Sequence, residues 1–250
     1  MIIDPHLPQT GPDAPVPTTA EALPDYTSAL QSANPPRYST LGASPPSQPV
    51  TYTFTPWTPS NPSSSSSSFP SEGYLLLIPR PFTHNLRQQP EPLYRISACI
   101  NLNPFLPISY ITQVHRPGPW DAETPGELVG KFELSLNQKR AILTFGDTTT
   151  RLSNVLSSVN GSSRHWTWTF NSINLRWDCR TNIDDGSPMC ICYSHPTDHQ
   201  LASFVPPSPE ASPPLPPAVL TVFPRGHADD LFDHIVASAL IVERKMTAAM

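Results

Sequence analysis

From residue 74 onward, apolar and polar positions alternate in short runs: 74–78, 93–100, 109–115, 127–136 and 140–145, then 151–156, 165–170, 173–179, 189–193, 201–205 and 218–223. Runs of this length, rich in β-branched and aromatic residues and parted by turn formers, predict about eleven strands with no helix between them. In 127–136, Phe132, Leu134 and Leu136 are expected to face a core while Lys131, Glu133 and Ser135 face water. Leu175, Trp177 and Cys179 alternate in the same way with Arg176, Asp178 and Arg180. A period of two marks half-buried antiparallel strands and fixes their register. Phe170-Asn171-Ser172-Ile173 predicts a tight hairpin turn, and 182–188, with Asp185-Gly186, a looser one.

The last element has a different period. Asp229, Asp230 and Asp233 put negative charge in a first turn, and Glu243, Arg244 and Lys245 close the far end, which marks out a helix over 228–245. Leu231, Phe232, Ile235, Val236, Ala237, Ala239, Leu240, Ile241 and Val242 cover nearly every direction around its axis. A helix that is apolar all round must be surrounded by protein. The strands and this helix together predict a mainly β fold, a closed antiparallel β-barrel wrapped around a hydrophobic C-terminal helix.

Residues 1–72 lack any sustained apolar period, are rich in Pro, Ser and Thr, and end near the serine run 63–68. Such a segment cannot bury enough surface to offset its ordering entropy, so it is expected to be a disordered, proline-rich arm ahead of a folded domain at 73–250. The 34 prolines against 10 glycines fit this division, because proline is excluded from helix interiors and central strands. The proline-dense stretch 206–217, between two predicted strands, reads as an exposed loop.

Charge changes the picture little. Charged residues make up 14% of the chain, against roughly 25% in an average globular domain. The arm carries one basic residue, Arg37, against five acidic ones, and the remainder is close to neutral. A nucleic-acid binder would show a clear basic excess.

The sharpest local signal lies in the arm. Pro35-Pro36-Arg37-Tyr38 is a Pro-Pro-x-Tyr motif, and Leu23-Pro24-Asp25-Tyr26 repeats it in the Leu-Pro-x-Tyr form. WW domains take such segments because a preformed polyproline II turn docks at little entropic cost, with the prolines in an aromatic groove and the tyrosine in a second pocket. Two weak sites on one flexible arm raise the effective concentration for a tandem WW protein, such as a HECT-type ubiquitin ligase.

Other constellations carry less. Residues 1–10 have neither a basic nor an apolar region of a signal peptide, and 231–242, broken by Asp233 and His234, falls short of the ~20 residues that span a bilayer. Cytoplasmic placement is the expectation, with Cys99, Cys179, Cys190 and Cys192 as reduced thiols. Cys179, Cys190, Cys192, His195 and His199 have poor spacing for zinc, and Cys190 and Cys192 share one face of a strand. They read as buried strand cysteines, and no metal or other cofactor is expected.

There is no G-x-S-x-G elbow and no phosphate loop, and Asp184-Asp185 reads as a solvated turn. Lys139, Arg140, Arg151 and Arg164 lie near predicted strand ends, where they form either a solvated rim or an anion- or lipid-contacting patch. Trp166, Trp168 and Phe170 read as core.

Four stretches carry a family resemblance: His165-Trp166-Thr167-Trp168-Thr169-Phe170, Leu175-Arg176-Trp177, Leu201-Ala202-Ser203-Phe204, and the helix from Asp230-Leu231-Phe232-Asp233-His234 through Ile235-Val236-Ala237-Ser238-Ala239-Leu240. From about Glu127 onward the chain is similar to uncharacterised fungal proteins with a tubby-C-terminal-like domain, relatives of the LURP-one and scramblase domains. The resemblance implies a barrel around a central helix and, through its phosphoinositide-binding members, contact with membrane phospholipid. The expected function is that of a non-enzymatic interaction protein, its arm docking WW partners and its barrel giving a second binding surface. The alternative is a membrane-peripheral phospholipid-binding or scramblase-like module.

Overall fold

A computed structural model of the chain describes residues 46–57, 72–77, 92–117, 126–137, 140–208 and 216–247. All of them belong to one compact unit, Pro45–Met250. Among them, thirteen strands form a single antiparallel sheet followed by one α-helix. The strands are β1 (Val50–Trp57), β2 (Glu72–Leu77), β3 (Pro92–Asn101), β4 (Ser109–His115), β5 (Leu128–Ser135), β6 (Ala141–Phe145) and β7 (Thr148–Arg151), then β8 (Leu156–Ser158), β9 (His165–Phe170), β10 (Ile173–Asn182), β11 (Pro188–Ser194), β12 (Gln200–Val205) and β13 (Val219–Val222). The helix α1 spans Asp229–Thr247.

The sheet order is β7-β6-β5-β4-β3-β2-β1-β13-β12-β11-β10-β9-β8. Every strand pairs with its neighbour in sequence except at two places. β13 returns to pair with β1, with Val50 opposite Val222 and Tyr52 opposite Leu220. Between β7 and β8 there is no pairing, and these two strands are the free edges.

The sheet is therefore open, and the closed barrel expected from the sequence is not formed. The reason is parity. With each pair antiparallel, an odd number of strands leaves β7 and β8 running in the same sense, so an antiparallel ladder cannot join them. The chain passes from one edge to the other through a 3₁₀ turn, Leu152–Asn154, so β7 pairs only with β6 and β8 only with β9. The strand predicted at 151–156 is instead broken by this turn between the end of β7 and the start of β8, with Leu152, Val155 and Leu156 plugged into the core.

β1 is a second departure. Val50–Trp57 lies in the stretch that composition assigns to the arm, yet it pairs with both β2 and β13, and Tyr52 and Phe54 are buried. A third is Leu136, which follows the end of β5 in a turn and is 58% exposed, while Phe132 on the same strand is buried.

Strands from both arcs of the sheet touch α1, so the sheet curls around the helix. Tyr52 of β1 and Tyr94 of β3 pack on Phe232, with ring centroids 5.3 and 5.8 Å away. Phe145 of β6 stacks on His234 at 4.2 Å, and Phe170 of β9 lies 5.5 Å from both. These rings fill the space behind the free edges. Ile235, Val236, Ala237, Ala239, Ile241 and Val242 are all buried, which the all-round apolar character of the helix requires.

Polar groups packed at the first turns of the helix are paired. Trp168 donates its indole N–H to His234 Nδ1 at 3.3 Å, and Tyr94 donates its hydroxyl to Asp233, whose other oxygen accepts from Arg116 at 2.6 Å. Buried polar groups without partners would be costly. The close approach just before the helix depends on Gly226, because a Cβ there would meet the Leu201 carbonyl oxygen at 2.6 Å.

Candidate functional site

The antiparallel directions place the C-terminal end of α1 at the same end of the sheet as the β3–β4, β5–β6, β10–β11 and β12–β13 connections. At that end lies a cavity of about 550 Å³, within the range of small-molecule sites. Its walls are Phe54 of β1, Ile96 and Ala98 of β3, Phe132 of β5 and Phe204 of β12, with Leu240 of α1 as the floor. Phe54 and Phe204 meet edge to face at 5.7 Å. Pro56, Pro207, Pro216 and Pro217 border it, the last three from the proline-rich β12–β13 connection.

Alternation along each strand explains the apolar lining: the residues that would otherwise meet a longer helix face have nothing opposite them where α1 ends. Thr112, Glu243 and Arg244 supply the polar part. Burial pushes the Glu243 carboxyl above the usual range, with Arg244 holding it back part of the way. Arg244 itself lies with its guanidinium carbon 5.6 Å above the Tyr110 ring.

The residues named from sequence fall in several places. Leu23, Pro24, Tyr26, Pro35, Pro36 and Tyr38 lie outside the described residues, as does Lys139. Arg140 turns to Glu133 at 3.7 Å, Arg164 donates to Asn182 at 3.0 Å, and Arg151 is exposed opposite Ile142. The structure thus gives Arg140 and Arg164 separate protein partners.

Cys179, Cys190 and Cys192 are buried and their thiols face the core, while His195 and His199 are exposed. Burial raises the Cys179 and Cys192 thiols far above their ordinary values. Among the described residues, no group of His, Cys, Asp and Glu could hold a metal ion. Asp185 accepts the Ser187 amide at 2.8 Å inside its turn. Among the described residues, no helix is long and apolar enough to cross a membrane.

Residues 79–248 match the model of a family of unknown function, DUF6593. The chain belongs to this family. No curated protein and no solved structure matches it. The matched stretch of this DUF6593 member takes in β3 through α1 and so most of the cavity wall, while β1 and β2 stand ahead of it.

Sequence reading did not single out the cavity residues. Glu243 and Arg244 read there only as the charged end of a helix, and the signal that could have found them is that the helix stays apolar up to Glu243, Arg244 and Lys245. Phe105, which is 92% exposed, was equally legible, as an apolar residue in a connection where polar ones are the rule.

Proposed function

We propose that this is a non-catalytic binding protein with two working parts. The folded unit takes the apolar portion of a lipid-like ligand into the cavity at the C-terminal end of α1. The N-terminal arm docks WW-domain partners through Pro35, Pro36 and Tyr38, with Leu23, Pro24 and Tyr26 as a second, weaker site; a tandem WW protein of the HECT ubiquitin-ligase type fits two spaced motifs. The protein works in the cytoplasm and has no nucleic-acid partner.

The cavity is the observation that carries this reading. Its apolar walls suit an acyl chain, and Arg244 beside a carboxyl that burial favours in its neutral form suits a polar or anionic head. That combination also supports the relationship to tubby-like domains and the phospholipid contact it implies.

Two experiments test the parts separately. A fluorescent fatty acid titrated into the full chain should bind, and Ala98→Phe, which fills the cavity from β3, should weaken that binding about tenfold while melting like wild type. Undiminished binding by the filled variant rules the cavity out. For the arm, Tyr38→Ala should reduce affinity for an isolated WW domain more than Tyr26→Ala does, and no measurable affinity in any of the three chains would remove the docking role.

A further inference from the structure

The β3–β4 connection, residues 102–108, projects an apolar tip beside the cavity. Leu102 is 46%, Phe105 92% and Ile108 48% exposed, and Leu136 next to them is 58% exposed. Large apolar side chains gathered and exposed in this way mark an interaction surface. We infer that this tip is a membrane anchor, inserted into the acyl boundary of an anionic phospholipid surface. The inference rests on the lipid-side reading of the folded unit and adds the surface through which the unit meets its lipid.

The backbone of the tip points to lipid rather than to a protein. An N–H left without a partner costs several kcal/mol in hydrocarbon. Here the Asn103 amide donates to Asn101 Oδ1 at 3.1 Å, the Phe105 amide to Asn103 Oδ1 at 3.0 Å, and the Leu106 amide to the Asn103 carbonyl at 3.0 Å. Residues 104 and 107 are prolines and have no N–H. From 103 to 107 every amide is thus either bonded within the connection or absent.

The same bonds occupy the Asn101 side-chain oxygen and both oxygens of Asn103. The base is held as well: Glu133 accepts from Ser109 at 2.6 Å and from Asn101 Nδ2 at 3.4 Å, tying the two ends of the connection together. A tip held in shape in this way loses little entropy on insertion.

The flanks carry the charge that an anionic surface attracts. Arg244 and Lys245 end α1 at the same rim, while Arg140 on the adjoining β5–β6 turn is taken up by Glu133. Juxtamembrane cations of this kind add about 1 kcal/mol each at an anionic leaflet. The apolar tip supplies the insertion, at the end of the sheet where the cavity lies.

The test is co-sedimentation of the full chain with phosphatidylcholine vesicles made with and without phosphatidylserine. Wild type should bind the anionic vesicles more tightly, and Phe105→Ser should lose about tenfold in affinity. Phe105→Trp should keep binding, and its added emission should shift to the blue with vesicles and be quenched by brominated acyl chains.

Equal vesicle binding by Phe105→Ser and wild type, or no quenching at position 105, overturns the anchor. Fatty-acid binding with no vesicle binding overturns it too, while leaving the cavity reading intact. A wild-type dimer in solution that Phe105→Ser separates would make the tip a protein contact instead.

Discussion

Trp177 on β10 donates its indole N–H to the Ser238 hydroxyl on α1 at 2.9 Å, and that hydroxyl in turn donates to the His234 carbonyl at 2.5 Å. Both side chains are fully buried. The pair fixes the rotation of an otherwise apolar helix, because dispersion alone distinguishes poorly between neighbouring faces. Ser238→Ala leaves the indole N–H without an acceptor and should cost about 1–3 kcal/mol. Trp177→Phe removes the donor along with packing volume, so the double variant should be more stable than the two single losses added together predict. Urea denaturation of the four proteins measures the coupling, and strict additivity would deny the bond any role.

The folded unit needs β1. Starting the chain at Gly73, the boundary that composition suggests, removes the strand that joins β2 to β13 and exposes two ladders at once. It also strips Tyr52 and Phe54 from the core, a loss of about 1.5–3 kcal/mol for each buried aromatic. Against a total stability of about 5–15 kcal/mol, that truncation should melt without cooperativity. A chain starting at Pro45 should keep a sharp transition, and calorimetry of the two distinguishes them.

β1 and the β7–β8 edges show what the sequence could and could not reveal. Val50–Trp57 alternates as well as any strand in the chain, with Val50, Tyr52 and Phe54 on one face and Thr51, Thr53 and Thr55 on the other. It was hidden because the prolines and serines around it dominate any average over a window. Its partner β13 is some 170 residues away, beyond the reach of local pattern.

At 148–158 the alternation is broken by a 3₁₀ turn, and the buried residues in and just after it, Leu152, Val155 and Leu156, follow no period of two. Strand count depended on that turn and on β1 together; the eleven strands expected and the thirteen formed are both odd, so the parity that keeps the sheet open was already in the pattern. The helix was legible because its burial is written all round its axis. The cavity was not, since its lining comes from seven separate elements, β1 to β5, β12 and α1, towards the end of the helix.

Burial also separates two substitutions that look alike on paper. Ala239 is fully buried on α1 among the strands, while Leu136 stands in a turn. Ala239→Asp places an unpaired charge in the core and should cost several kcal/mol, giving insoluble or unfolded protein. Leu136→Asp should change stability by only about 0.5 kcal/mol, although the strand pattern taken alone puts it in the core. Thermal melts of the two variants check this, and a soluble, cooperatively melting Ala239→Asp would mean that α1 is not packed inside the sheet.

His234 should make the fold sensitive to acid. Its ring stacks on Phe145, accepts from Trp168, and is held below its ordinary pKa by burial, against the opposing pull of Asp233 and Asp230. An unfolded chain binds the imidazole proton near pH 6.5, whereas the folded one binds it only at lower pH. Between those two values the unfolded state carries more protons, so the stabilisation is complete above about pH 6.5 and is lost as pH falls towards the folded value. His227 and His115 are lowered by burial as well, so the wild-type slope alone cannot be assigned to one residue. His234→Gln keeps an acceptor for the Trp168 indole but has no proton to gain. It should be less stable than wild type at neutral pH, for want of the stacked ring, and should lose stability less steeply between about pH 7 and 5. Urea midpoints for both proteins across that range measure the difference, and parallel curves would show that the acid sensitivity resides in the other histidines.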